Sequence, residues 1–249
     1  MAMLNKKHLL ELRKARNSLY YYLKCEFLYH SNKIEGSTFS TEQLALLMDK
    51  EIVEGSHRLE DVIETSNSLL LFDYMISTLG DPITEDLLLE FHKILKKNTA
   101  DESIGAVGVW KKYKNHISGS QVKLAEPHQV LESIKNLNFG WEVSEKTFEA
   151  IVDYHVKFEK IHPFQDGNGR VGRFIMLKQC FENEITPIVV DSDYNKSYKQ
   201  ALEKAQITGE HQLLYDVFRI CQDWFANKDI VKGTIEDLNR MTDGEIIGN

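Results

Sequence analysis

The feature that most limits how this chain can fold is a helix, a forced break and a second helix. Phe148, Ile151, Val152, His155, Phe158 and Ile161 fall at helical spacing and predict a buried helix over 145–160. Pro163 and the Gly167-Asn168-Gly169 cluster interrupt it. Val171, Phe174, Ile175, Leu177, Cys180 and Phe181 then restart the period and predict a helix over 168–183. Residues 162–173 are therefore one loop and one helical turn. There, free backbone N–H groups and the positive end of the helix dipole favour an anion.

The residue types in that stretch fit a phosphate cradle. Gly167 and Gly169 let the backbone approach a ligand and take positive φ, and Asn168 adds a side-chain donor. Arg170 and Arg173, three apart, can project from one helix face toward one polyphosphate. Asp166 is a hard oxygen ligand of the kind that holds Mg²⁺ or Mn²⁺ beside phosphates. His162 is placed to take a proton from an incoming hydroxyl. Pro163 and Phe164 read as anchors in the core.

Taken together, His162, Phe164, Asp166, Gly167, Asn168, Gly169, Arg170 and Arg173 resemble the signature of Fic-domain proteins, His-x-Phe-x-Asp-Gly-Asn-Gly-Arg-x-x-Arg, at every defining position. The resemblance implies an all-α Fic/Fido helical bundle with a short β-hairpin flap beside the loop. It also implies a protein adenylyltransferase that moves AMP from ATP to a Ser, Thr or Tyr hydroxyl of a protein, or of itself. Relatives with this motif transfer other phosphate-linked groups, so UMP, phosphocholine and phosphate stay open as cargo. A nucleotide-sensing module with little turnover is the reading from a different class.

Composition narrows the partners. A net charge of −8 with pI near 5.6 argues against broad binding to nucleic acid or anionic membrane. Cys25, Cys180 and Cys221 are far apart, each inside an apolar run, and read as reduced core thiols in a cytoplasmic protein. No apolar run reaches membrane-spanning length and the N-terminus lacks the apolar segment of a signal peptide.

With only 4 prolines in 249 residues, the rest reads as long amphipathic helices: 5–35, 41–49, 58–78, 84–98, 127–138, 194–206, 211–226 and a weaker 231–241. Ser40, Thr84 and Ser144 look like N-caps. The exception is 103–126, where Gly105, Gly108 and Gly119 punctuate β-formers without helical period; it reads as a hairpin or irregular flap. The chain then divides into an N-terminal helical region 1–60, a Fic core 61–226 and an extension 227–249. By the resemblance, the flap would pair its backbone with a target segment, with Lys114, Asn115, His116 and Ile117 docking it. The competing reading is a plain connection between helices.

At the end of the first helix stand Ser31 and Glu35, four apart, with Gly36 as a natural stop. A carboxylate at a helix C-terminus opposes the dipole and invites an external cation. The segment 31–36 resembles the inhibitory motif of Fic proteins that carry it on an N-terminal helix. That likeness implies that Glu35 pairs with Arg173 in place of a nucleotide γ-phosphate, that Ser31 supports the Glu, and that Glu35 can also serve removal of AMP. Tyr198, Leu202 and Gln206 resemble the helix lining the nucleoside pocket, although core packing explains each equally well. His155 shares a helix face with His162 but lacks a third ligand, so it reads as a core histidine. The apolar segment 42–54 suits core packing or a homodimer contact.

Overall fold

A computed structural model describes residues 6–117 and 119–247. The architecture is helical: α1 (Lys6–Leu12), α2 (Leu19–Ile34), α3 (Thr41–Lys50), α4 (Leu59–Ser77), α5 (Glu85–Lys96), α6 (Val130–Val143), α7 (Phe148–Ile161), α8 (Asn168–Glu182), α9 (Asn195–Thr208), α10 (Gln212–Ala226) and α11 (Asp229–Ile247). Among the described residues no helix is long and apolar enough to cross a membrane.

α8 is the axis. Its residues 170–181 are buried on every side, which a helix tolerates only inside a bundle. One side of it faces the main core, where Phe174 meets Phe27 of α2 edge-on at 4.9 Å, with Phe72 of α4 and Phe91 of α5 alongside. The other side faces a second core in which Met176 and Cys180 pack with Ile151 and Val152 of α7, Tyr198 and Leu202 of α9 and Phe218 of α10. The first turn of α8 thus emerges between two packed bodies, so its position is fixed from both sides. The three cysteines are free and buried, as core thiols should be.

Local chemistry explains most helix limits. Ser40 and Gln43 form a reciprocal capping box, and the Thr84 hydroxyl accepts the Leu87 N–H. α7 begins at Phe148, later than the expected start at 145, because the cap is Thr147 and not Ser144: the Thr147 hydroxyl accepts from Ala150 N, while the Ser144 hydroxyl donates to Trp141 O. The predicted helix 5–35 is broken at 13–18, and its first residue, Asn5, lies outside the described residues. Asn17 takes a left-handed φ of 60° and the Ser18 hydroxyl donates to Leu12 O at 2.7 Å, closing the end of α1. The polar run Arg13-Lys14-Ala15-Arg16 offers little to bury and so does not carry the helix across.

The hairpin expected in 103–126 is not formed. Among the described residues there is no β-strand, and Ser118 of that segment lies outside them. The segment is an irregular strap whose donors are engaged elsewhere. Lys111 N–H donates to Pro163 O at 2.8 Å, and Asn115 Nδ2 donates to Phe164 O at 2.9 Å. Further on, Ser120 Oγ and Gln121 N both donate to the Glu203 carboxylate of α9. A hairpin needs its backbone groups for a partner strand, and here the signature loop and α9 satisfy them instead.

Candidate active site

α7 ends on His162 in the left-handed region, φ 51° and ψ 62°, with its N–H still donating to Phe158 O. Pro163 cannot continue the helix, and Phe164 turns into the core, fully buried. The Phe164 ring lies flat on His92 of α5, centroids 4.0 Å apart, with Trp110 of the strap on the same ring system at 5.4 Å. Asn168 closes the loop: its Oδ1 accepts Phe164 N–H at 2.8 Å and its Nδ2 donates to Phe164 O at 3.0 Å. Its side chain is therefore engaged with the loop backbone, with one N–H of Nδ2 beyond that bond. Gly167, at φ 77°, starts α8 in a conformation that disfavours other residues.

His162 is the candidate base. Its Nδ1 lies 3.3 Å from Glu159 O, an acceptor that places the proton on Nδ1 and leaves Nε2 as the basic nitrogen. Burial, then the neighbouring Lys111 ammonium, push its pKa down to about 4, so the imidazole is neutral at pH 7. Glu159 behaves oppositely: burial pushes its carboxyl up to about 8. That acid sits against Gly172, where any Cβ would fall 2.4 Å from Glu159 Oε1.

The two signature arginines do not share one target. Arg173, 2% exposed, is held by the N-terminal arm: Nη2 donates to Glu35 Oε1 at 2.7 Å and to Ser31 O at 3.0 Å, and Nε donates to Ser31 Oγ at 3.0 Å. The structure thus brings Ser31, Glu35 and Arg173 together, but Ser31 serves the guanidinium directly and not the carboxylate. Burial opposes ionisation of Glu35, and the Arg173 charge outweighs it, so the carboxyl stays below its ordinary range. Glu35 also lies at the mouth of α8, where a Cβ on Gly169 would fall 2.4 Å from its Oε1. Gly169 is helical, so close approach of the carboxylate is its reason for being glycine, and a positive φ is not.

Arg170 turns the other way and forks onto Glu64 of α4, Nη1 to Oε2 at 2.6 Å and Nη2 to Oε1 at 3.1 Å. Glu64 also pairs with Lys96, whose buried ammonium reaches Asp101 and Asp166 at 2.7 Å each. α5 holds Asp166 twice over. Gly108 N–H donates to His92 Nδ1 at 3.0 Å, so His92 Nε2–H is free to donate to Asp166 O at 3.2 Å, while Lys96 holds the carboxylate. Burial opposes ionisation of Asp166, but Lys96 and Arg170 bring its pKa down to about 2.

Glu64, His92, Lys96 and Lys111 were not singled out from sequence. His92 and Lys96 carried a signal: they are four apart on the apolar face of α5, beside Leu88, Phe91 and Leu95. Polar residues in such positions have a buried partner. Glu64 left no comparable trace, because its partner lies 106 residues away.

The remaining expected site residues are less collected. Tyr198 and Leu202 pack in the second core, with Tyr198 Oη and His155 Nε2 2.8 Å apart. His155 is thus a hydrogen-bonded core histidine, and burial pushes its pKa down to about 3. Gln206 is buried with its Nε2 donor unpartnered. On the strap, Lys114 is exposed and paired with Glu126, His116 is exposed, Ile117 is half-buried, and Asn115 points its amide inward to Phe164.

At one end of this helical bundle a neutral histidine and a glycine-led helix mouth stand in front of two buried arginines. Residues 82–180 match the Fic/DOC family. It is 27% identical over 204 residues to protein adenylyltransferase fic-1 of Caenorhabditis elegans, covering 77% of this chain and 38% of that protein. It is 28% identical over 208 residues to protein adenylyltransferase Fic of Culex quinquefasciatus, covering 78% and 38%. The chain thus spans well under half the length of these curated relatives. A crystal structure of a Fic domain containing signaling protein from Bacteroides thetaiotaomicron shares the fold, with a TM-score of 0.71 at 19% identity over 89% of this chain and 87% of that one. A segment of C. elegans Fic-1 superposes with a TM-score of 0.69 at 20% identity, covering 92% and 67%.

Proposed function

We propose that this protein is a protein adenylyltransferase restrained by its own N-terminal arm. The reaction transfers AMP from ATP to a Ser, Thr or Tyr hydroxyl of a protein, itself included. The observation that carries this reading is the Glu35 carboxylate on Arg173 at the mouth of α8, beside a neutral His162. A carboxylate there stands where a terminal phosphate would be held, and the two anions compete for one guanidinium.

In the reaction, the substrate hydroxyl oxygen bonds to the α-phosphorus as the bond to the bridging oxygen breaks and pyrophosphate leaves. His162 Nε2 takes the hydroxyl proton. The N–H groups of Gly169 and Arg170 at the helix mouth donate to phosphate oxygens, and Arg173, once free of Glu35, donates to the terminal phosphate. Arg170 reaches phosphate only by leaving or sharing Glu64. Among the described residues no three His, Cys, Asp or Glu side chains converge as a metal cage. Asp166, ionised and at the loop surface, fits a Mg²⁺ or Mn²⁺ that takes its other oxygens from phosphates and water. Such an ion would supply charge neutralisation between the phosphates.

The free Nε2 donor of Gln206 supports an adenine contact on α9, with Tyr198 and Leu202 as its packing floor. The strap supports target docking through its exposed edge at Lys114 and His116, with Asn115 as its anchor. The same Glu35 would serve hydrolytic removal of AMP by orienting a water. The deciding experiment incubates the protein with ATP, UTP, CTP or GTP labelled at the α-phosphate, or with γ-labelled ATP, in the presence of Mg²⁺. Label from α-ATP alone, lost in His162→Ala with ATP binding retained by calorimetry, is the expected result. Label from another donor, or none after Glu35 is replaced, overturns it.

A further inference from the structure

The strap and the signature loop meet around His162 in a way that the transferase chemistry does not by itself require. Three carbonyls flanking the histidine are taken by two strap residues. Lys111 Nζ donates to Ile161 O at 3.2 Å, Lys111 N–H to Pro163 O at 2.8 Å, and Asn115 Nδ2 to Phe164 O at 2.9 Å. Asn115 Oδ1 in turn accepts from Lys111 Nζ at 2.9 Å, so the two side chains act as one clamp. The residue between those carbonyls, His162, has a positive φ, a conformation uncommon for a residue with a side chain.

Lys111 is itself unusual. It is 4% exposed, and its ammonium has neutral acceptors but, among the described residues, no carboxylate at ion-pair distance. Burying an unpaired cation is costly, and a methionine would fill the same space without that cost. Burial accordingly pushes the Lys111 pKa down to about 8. The charge acts on what lies beside it. The charged groups facing the imidazole are Lys111 from the strap, Glu159 from α7, Glu35 from the arm and Asp166 from the loop. Three of the four are carboxyl groups, of which Glu35 and Asp166 are ionised and would draw a proton onto the ring. Lys111 opposes them.

We propose that Lys111, clamped through Asn115, is a positioning residue for His162: it fixes the left-handed turn that presents the imidazole and keeps the ring unprotonated among surrounding carboxylates. Lys111 touches no reacting atom; it acts through the histidine. The inference assumes that His162 is the base of the transferase reading, and its primary test does not use turnover.

The test follows the His162 ring in the full-length, isotopically labelled chain by NMR, titrating from pH 8 to pH 3 without nucleotide, with the protonated fraction at pH 5 as the comparison for any chain that unfolds lower. His162→Gln identifies its signals. Lys111→Met is expected to raise the His162 midpoint by about one pH unit, while Lys111→Arg, which keeps the charge, leaves it near wild type. Given a working transferase assay, Lys111→Met should also lower kcat about tenfold with KM for ATP little changed, and Lys111→Arg should restore most of it. If Lys111→Met does not fold, Asn115→Ala decides: it frees the ammonium from the clamp and should move the midpoint upward. A folded Lys111→Met, or failing that Asn115→Ala, whose His162 midpoint equals wild type overturns the proposal even in an active transferase. A chain that transfers nothing but shows the shift keeps this inference and loses the transferase reading.

Discussion

Replacing Glu35 tests the restraint most directly, and the structure sets the size of the effect. The carboxylate holds Arg173 through one charge-assisted hydrogen bond of 2.7 Å. Such a bond contributes about 1.5–3 kcal/mol, and the lower half applies because Glu35 keeps about a third of its side chain exposed to screening water. Releasing about 1.5–2 kcal/mol corresponds to roughly a 10- to 30-fold rise in AMP transfer by Glu35→Gly. Glu35→Gln, which keeps the shape and loses the charge, should fall between the two. There is a stability cost of opposite sign. The buried guanidinium keeps Ser31 Oγ and Ser31 O but loses its anion, at about 3 kcal/mol, or about 6–12 °C in Tm for a chain of this size. ATP supplies the missing anion, so ATP should raise the Tm of Glu35→Gly more than that of wild type. Transfer is read with α-labelled ATP and stability by calorimetry with and without ATP. A folded Glu35→Gly with unchanged or lower transfer, and an ATP-induced rise in Tm no greater than wild type, refutes the competition for Arg173.

Three other outcomes follow from the same geometry. His92, His155 and His162 have folded pKa values near 3, 3 and 4, below the unfolded value, so each lowers stability as pH falls from about 6.5; Glu159, raised to about 8, opposes them by lowering stability as pH rises from about 4.5. Near pH 5 the unfolded chain binds about two more protons through these groups, a slope of about 2.7 kcal/mol per pH unit; urea midpoints measured from pH 5 to 8 should fall steeply below 6.5, and a flat profile refutes it. Glu64→Ala leaves the buried Arg170 guanidinium with only Asp166 at 3.6 Å and takes one of three carboxylates from Lys96, and should cost about 3 kcal/mol in chemical denaturation; a loss under about 1 kcal/mol would mean that Glu64 is not the anchor of Arg170. Asp166→Asn should weaken Mn²⁺ binding to the nucleotide complex at least tenfold by electron paramagnetic resonance with nucleotide affinity in metal-free buffer little changed, whereas equal Mn²⁺ binding removes Asp166 as its ligand.

Local sequence determined a good deal here. Periodicity and caps mark the helices because both depend on neighbours three or four residues apart, as at Ser40 with Gln43 and Thr84 with Leu87. The break and restart across 162–173 were legible for the same reason: Pro163, Gly167 and the return of the apolar period all act within one turn. Tertiary structure decided what those residues touch. Arg170 and Arg173 look equivalent in sequence, yet one meets Glu64 of α4 and the other Glu35 at the end of α2. The strap reads as β-formers, but its backbone partners are carbonyls of the signature loop about 50 residues away. A charge or a hydrogen-bond donor records in sequence only that it needs a partner; which one it finds depends on how the two cores seat α8 between them.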